Sequence, residues 1–241
     1  MTAGIKARLR GMPGYTALQL VYWVLRGGEH RSIALLRLRR PKNLFQPYST
    51  TAPNRYPSIF RFVRERIGNG PDRHLLSFGC STGEEVFSLR DHFPEAAIKG
   101  IDINPYAIAT CRRKLARAGD PRLSFAVAGS AADENTGSYD AVFAMAVFRH
   151  GDLGAAPPRC DHLISFARFE RTVGELARCL KPGGLLAIRH ANFRFADTAV
   201  AAGFEAVLSV DEVPQTPLYG PDNRLLPKTT VHDLVFCKAL S

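Results

Sequence analysis

Asp102 and the turn Gly79-Cys80-Ser81-Thr82-Gly83 are the residues of this chain whose types and spacing best suit ligand chemistry. The turn follows a short apolar run, His74–Phe78, and leads into Glu84–Phe93, where Val86, Leu89 and Phe93 recur at helical spacing. A chain that leaves a buried strand and enters a helix within about five residues needs positions without bulky side chains. The helix start then offers unpaired amide N–H groups to a small polar ligand. The dinucleotide fingerprint requires glycines at positions one, three and six, and the P-loop requires Gly-Lys-Ser/Thr; neither is present. Asp102 lies in a second apolar run, Ala97–Ile103, 23 residues beyond Gly79. A carboxylate at such a strand end can accept two hydrogen bonds from vicinal ribose hydroxyls. The competing role, capping the next helix, falls to Asn104, with Pro105 behind it.

Two further groups could move a proton. Arg149-His150 with Asp152, and His190 with Asn192 and Arg194, follow the fourth and fifth apolar runs, where parallel sheets place ligands. A neutral imidazole near pH 7 could take a hydroxyl proton, so His150 and His190 are the candidate bases; the alternative for each is a structural hydrogen bond. Arg149 and Arg194 suit an anionic acceptor such as a carboxylate. The five cysteines are odd in number, widely spaced and without a C-x-x-C pair, which points away from a disulfide framework and a zinc site. No metal and a reduced, cytoplasmic setting are expected.

The string CSTGEE over 80–85, in the pattern G-x-x-x-G, resembles the first motif of class I S-adenosylmethionine (SAM) dependent methyltransferases. That motif runs acidic residue, any residue, then G-x-G-x-G; Ser77 stands at the acidic position and Ser81 at the middle glycine. The serine variation is similar to that of the chemotaxis receptor methyltransferases, whose substrate-side sequence has no counterpart here. A second match is Asp102, and a third is LARCLKPGGLLAI, Leu176–Ile188, similar to the family's helix, turn and fifth strand. The resemblance implies SAM held by Gly79, Cys80, Ser81, Thr82, Gly83, Glu84, Asp102, Ile103, Ser130, Ala131, Ala144 and Met145, with Ser130 where the family commonly holds the adenine amino group through an acid. It also implies that the segment before the first strand folds over the cofactor, which makes Tyr48, Arg55 and Tyr56 candidate contacts at the reacting end.

The elements that must position these residues follow from periodicity and breakers. Strands are expected at His74–Phe78, Ala97–Ile103, Leu123–Ala128, Tyr139–Met145, after Lys181-Pro-Gly-Gly, from Gly203 to Val210, and at His232–Ala239; helices are expected at Ser58–Ile67, Glu84–Phe93, after Asn104, and at Phe166–Leu180. Strands and helices alternating from 74 to 202, then two strands in succession, predict an α/β chain. Its expected form is a seven-stranded, mostly parallel, doubly wound sheet with an antiparallel last strand, the Rossmann-like methyltransferase fold. Residues 58–241 form this domain, and residues 1–57 a basic helical arm and cofactor-covering loop.

The chain has 241 residues and a net charge of +10, all of it ahead of the first strand: residues 1–70 hold 13 Lys/Arg against Glu29 and Glu65. Within the arm, Leu18, Val21, Tyr22 and Leu25 form one helical stripe and Ile33, Leu36 and the Arg40 stem another. Either the arm packs on its own domain with its arginines solvated, or it makes a peripheral contact with a membrane surface or nucleic acid. The apolar run Thr16–Leu25 is about half the ~20 residues that cross a bilayer.

The expected reaction is methyl transfer from SAM to an oxygen or nitrogen of a small-molecule or lipid-like acceptor. The sequence after the fourth strand, Ala144-Met-Ala-Val147, lacks the N/D-P-P-Y/F of base amino methylation, and Cys160 follows Arg159 rather than proline. RNA ribose methylation stays open, as does a non-enzymatic SAM-fold subunit that binds a partner, which the departures at Ser77, Ser81 and Ser130 motivate.

Overall fold

The computed structural model describes residues 15–48, 51–228 and 230–240. The first 14 residues of the expected arm lie outside them. Two helices, α1 (Tyr15–Arg26) and α2 (Gly28–Arg39), precede α3 (Pro57–Ile67). Then come β1 (His74–Phe78), α4 (Glu84–His92), β2 (Ala97–Asp102), α5 (Pro105–Ala118), β3 (Leu123–Val127), β4 (Tyr139–Met145), α6 (Phe166–Cys179), β5 (Leu180–Arg189), β6 (Phe204–Asp211) and β7 (Val231–Lys238). The sheet has the order β3-β2-β1-β4-β5-β7-β6, with β7 antiparallel to both neighbours and the first five strands parallel. This is the expected architecture.

Strand alternation divides the core in two. On β4, Ala141, Phe143 and Met145 face α3, α4 and α5 through Phe60, Val63, Leu89 and Ile108. Val142 and Ala144 face α6 through Phe169, Val173 and Leu176. The strand order reverses between β1 and β4, and the ends of those two strands open a crevice there.

Two expectations need correction, and one observation bears on the arm. The alternation of strands and helices is incomplete: residues 128–138 connect β3 to β4 as a loop, with Gly137 at φ 62, and only the short turns Phe195–Asp197 and Ala199–Gly203 join β5 to β6. Lys181-Pro-Gly-Gly does not precede the fifth strand but lies inside it. The β4 register jumps there from Tyr139↔Leu180 to Ala141↔Leu185, and Gly184 leaves no room for a side chain, since a Cβ would lie 2.9 Å from the Lys181 carbonyl oxygen. Finally, the stripe Leu18, Val21, Tyr22 and Leu25 of α1 is exposed, while α2 makes the contact with the domain, burying Ala34 and Leu36.

At the far end of the sheet from the crevice, Asp140 is buried and accepts hydrogen bonds from Arg73 (3.0 Å), the His74 N–H (2.8 Å) and Lys181 Nζ (2.7 Å). Burial by itself would raise its carboxyl, but these donors outweigh it and hold it below the usual aspartate value. Its contribution to stability is therefore present above the ordinary carboxylate range and lost as pH falls below it. Asp140→Ala is expected to cost about 3 kcal/mol, because it leaves Lys181 and the His74 amide without their acceptor. A urea midpoint equal to wild type would refute this.

Candidate active site

Asp102 organises the crevice. Its Oδ2 accepts the Ser81 N–H at 2.8 Å and its Oδ1 the Asn104 N–H at 2.7 Å, so the end of β2 holds the turn after β1 and the start of α5 together. Asn104 caps α5 by accepting from the Tyr106 and Ala107 amides, and also accepts from Ser32 of the arm. The turn is gripped from α5 as well: Cys111 Sγ lies 3.2 Å from the Ser81 oxygen, and Lys114 Nζ donates to the Thr82 carbonyl at 2.8 Å.

Around this node lies a pocket with about 910 Å³ of free space, open solvent included. Of the residues expected to hold the cofactor, Gly79, Cys80, Ser81, Asp102, Ile103 and Met145 line it, and so do Tyr48, Arg55 and Tyr56. Six others do not, each for a local reason. Thr82 and Glu84 turn outward, Thr82 Oγ1 donating to Glu84, which in turn is paired with Lys114. Gly83, at φ 94, serves the helix start, where a Cβ would crowd Cys111 and Phe87. The Ser130 hydroxyl accepts the Ala132 N–H, Ala131 is in the core, and Ala144 points to the α6 side while Met145 points to the other.

The residue that sequence reasoning missed is Glu85. It lines the pocket and accepts the Ser77 hydroxyl at 2.7 Å. A carboxylate thus reaches, from the first turn of α4, the position where the family pattern has an acid on the strand; the signal was the serine at 77 set eight residues before a second glutamate. Burial pushes Glu85 up to about 7, against the Ser77 bond and the charge of Arg55. Leu36 and Gln46 also line the pocket, and Gln46 Nε2 donates to the Ala146 carbonyl at 2.8 Å, so the arm supplies wall as well as cover.

The two candidate bases are separated. His190, at the end of β5, lies beside Tyr56, ring centroids 5.7 Å apart. Burial, with Arg189, Arg55 and Arg149 adding to it, lowers its imidazole to about 4, so it is neutral at pH 7. His150 lines a different cavity, with Arg37, Arg40 and Arg168, and its Nδ1 accepts the Asp152 N–H at 3.2 Å, capping a short turn. Arg194 is held by Asp197 at 3.0 Å and shares a third cavity with His190. Ser81, Ala146 and His190, each just past a neighbouring strand of the sheet, have φ of 51, 58 and 51. Left-handed non-glycine residues at three adjacent strand ends mark where the fold tolerates strain.

Residues 76–186 match the family model described as "Methyltransferase domain". Over this stretch, a little under half of its length, the chain is similar to methyltransferase domains. Over 124 residues it is 29% identical to a trans-aconitate 2-methyltransferase of Acidovorax, covering 52% of this chain and 40% of that protein. Over 136 residues it is 32% identical to a 23S rRNA (uracil(747)-C(5))-methyltransferase of Salmonella arizonae, covering 53% of this chain and 32% of that one. The chain therefore spans well under half the length of these curated relatives. Among solved structures it is similar to the [4+2]-cyclase SpnF (TM-score 0.46, 21% identity, 63% of this chain and 59% of that). It is also similar to phosphoethanolamine N-methyltransferase 2 of Haemonchus contortus in complex with SAM (TM-score 0.43, 18% identity, 58% and 29%). Both scores lie below 0.5, so the strand order above, rather than these likenesses, carries the fold.

The residues present fit SAM. Of the five buried side-chain N or O atoms left without a hydrogen-bond partner among the described residues, three belong to residues that line this pocket: Tyr56 OH, Ser81 Oγ and Asn104 Nδ2. A buried polar atom without a partner costs about 1–3 kcal/mol, and a polar ligand removes that cost. Asp102 spends two acceptor sites on backbone amides and, as a carboxylate, has roughly two more for ribose hydroxyls.

Glu85 gives a test of the pocket's electrostatics. Its folded value lies above the 4.5 of the free side chain, so the folded state keeps a proton that the unfolded state releases. Its contribution is complete below about 4.5 and is lost as pH rises through about 7, a fall of up to about 3 kcal/mol. Glu85→Gln should flatten this part of the stability curve, measured as urea unfolding from pH 4.5 to 8; an unchanged slope would contradict the assignment.

Proposed function

We propose that this protein is a SAM-dependent methyltransferase acting on an oxygen or nitrogen of a small-molecule or lipid-like acceptor. The observation that carries the reading is the convergence of three unpartnered polar atoms and the Asp102 carboxylate on the crevice where the strand order reverses. The bound cofactor supplies an activated methyl group on a positively charged sulfur, and the chain's work is to align it with an acceptor. Alignment of this kind can lower a barrier by roughly 7–11 kcal/mol without a catalytic residue. Asp102 and the Gly79 turn hold the nucleoside, and Tyr56, Arg55 and Tyr48 close the pocket from the arm side. The relatives act, by name, on trans-aconitate and on a uracil of rRNA, so the family does not name the acceptor.

Asp102→Ala is expected to weaken binding of S-adenosylhomocysteine (SAH) by about 1–3 kcal/mol. Because Asp102 also ties two backbone amides, thermal stability is read on the same samples. Unchanged SAH affinity by calorimetry in a folded variant would remove Asp102 from the site. Gly79→Val should abolish binding, since a Cβ there would lie 2.4 Å from Val147 Cγ2 at a φ of 75. The same titration decides against the partner-binding reading, which requires no SAH affinity.

A second reading concerns the arm. Leu18 and Leu25 of α1 are 72% and 80% exposed, Val21 and Tyr22 lie between them on the same exposed stripe, and Arg26, Arg31, Arg39 and Arg40 are exposed nearby. An apolar helical stripe bordered by arginines complements an anionic bilayer surface. Deleting residues 1–26 tests this, and spares Ser32, which donates to Asn104, and Leu36, which lines the pocket. Full-length protein should co-sediment with phosphatidylserine vesicles, less so as salt rises, and the truncated protein should not. Equal sedimentation of both forms, or a preference for RNA over vesicles, would overturn it.

A further inference from the structure

Tyr56 is 8% exposed, its buried hydroxyl has no hydrogen-bond partner, and the residue lines both the cofactor pocket and a neighbouring cleft with about 1300 Å³ of free space, open solvent included. Arg55, Arg61, Arg189 and His190 line that cleft. So do Pro57, Ser58 and Ile59, the first turn of the eleven-residue α3, whose N-cap makes no side-chain bond; Pro57 has no N–H, so the amides of this turn are those of Ser58 and Ile59. Unpaired amides at a helix start and guanidinium groups both attract negative charge. The opposing carboxylates are Glu65 and Glu212, the latter paired with Arg189. Three arginines against two acids leave the lining positive, and Arg149 adds its field at both Tyr56 and His190.

We propose that the methyl acceptor is a carboxylic acid, bound as its carboxylate in this cleft by Arg55, Arg189 and the first turn of α3, with the Tyr56 hydroxyl donating to it. This rests on the methyltransferase reading above. The groups beside Tyr56 are poor bases. Burial pushes the Tyr56 hydroxyl up to about 12, so it keeps its proton, and the His190 imidazole, lowered to about 4, is too weak to deprotonate an alcohol. A site of that kind suits an acceptor that arrives already deprotonated, as a carboxylate does at pH 7. A lone pair of the carboxylate oxygen forms the new O–CH3 bond while the CH3–S bond breaks with its electron pair going to sulfur. The cationic sulfur becomes the neutral thioether of SAH, the carboxylate becomes a methyl ester, and no proton moves.

The test uses the full chain saturated with SAH and titrated by calorimetry with citrate as a carboxylate probe, against trimethyl citrate as its uncharged control. Citrate should bind and the control should not, and Arg189→Gln should weaken citrate about tenfold or more with SAH affinity unchanged. Because Arg189 also holds Glu212, exposed Arg61→Gln is the second variant, expected to weaken citrate severalfold without disturbing the fold. In parallel, methyl-tritiated SAM is incubated with protein and the small-molecule fraction of a cell extract, and the product is treated with alkali. A methyl ester releases its label as volatile methanol, whereas methyl ethers, methylamines and methyl phosphodiesters keep it. SAH binding without citrate binding, citrate affinity equal in wild type and both variants, or alkali-stable label would overturn the proposal. Failure to bind SAH at the first step would instead overturn the cofactor reading.

Discussion

The site depends on one carboxylate that is spent mostly on the protein itself. Asp102 accepts the Ser81 and Asn104 amides, and through them it fixes the turn after β1, the start of α5 and, by way of Asn104 and Ser32, the arm. Burial raises its carboxyl and the two amide donors oppose the rise, so the same bonds that shape the turn help keep the acceptor ionised. A ligand hydroxyl arriving at Asp102 meets an oxygen whose position is already set, which is the condition for a strong contact at small entropic cost.

Charge is distributed around the sheet with a clear division of labour. At one end Asp140 is surrounded by three donors and held below its usual value. At the other, Glu85 is buried with a single hydroxyl donor and rises to about 7. The first arrangement is self-sufficient and stabilises the fold. The second is incomplete without a further partner, as are Tyr56 OH, Ser81 Oγ and Asn104 Nδ2 around it. Incompleteness concentrated in one crevice, together with left-handed residues past β4 and β5, separates the site from the rest of a well-satisfied molecule.

What the sequence determined by itself was whatever local rules control. Period-two and period-3.6 patterns and the Asn104-Pro105 helix start placed nearly every element of the sheet domain within a residue or two, because backbone geometry and burial on a sheet face are short-range constraints. The family strings placed the turn and Asp102 for the same reason. Tertiary structure decided which side chain of a turn faces inward: Glu85 and not Glu84, Met145 and not Ala144, since one residue's shift on a helix or strand exchanges faces. It also decided that His150 and His190 occupy different cavities, that Leu36 of the arm belongs to the pocket while Leu18 and Leu25 meet solvent, and that Arg55, Arg61 and Arg189 share a cleft. Those facts join residues as far apart as 55 and 189, and only the packing of β5 against β4, with α3 lying across it, brings them within reach of one ligand.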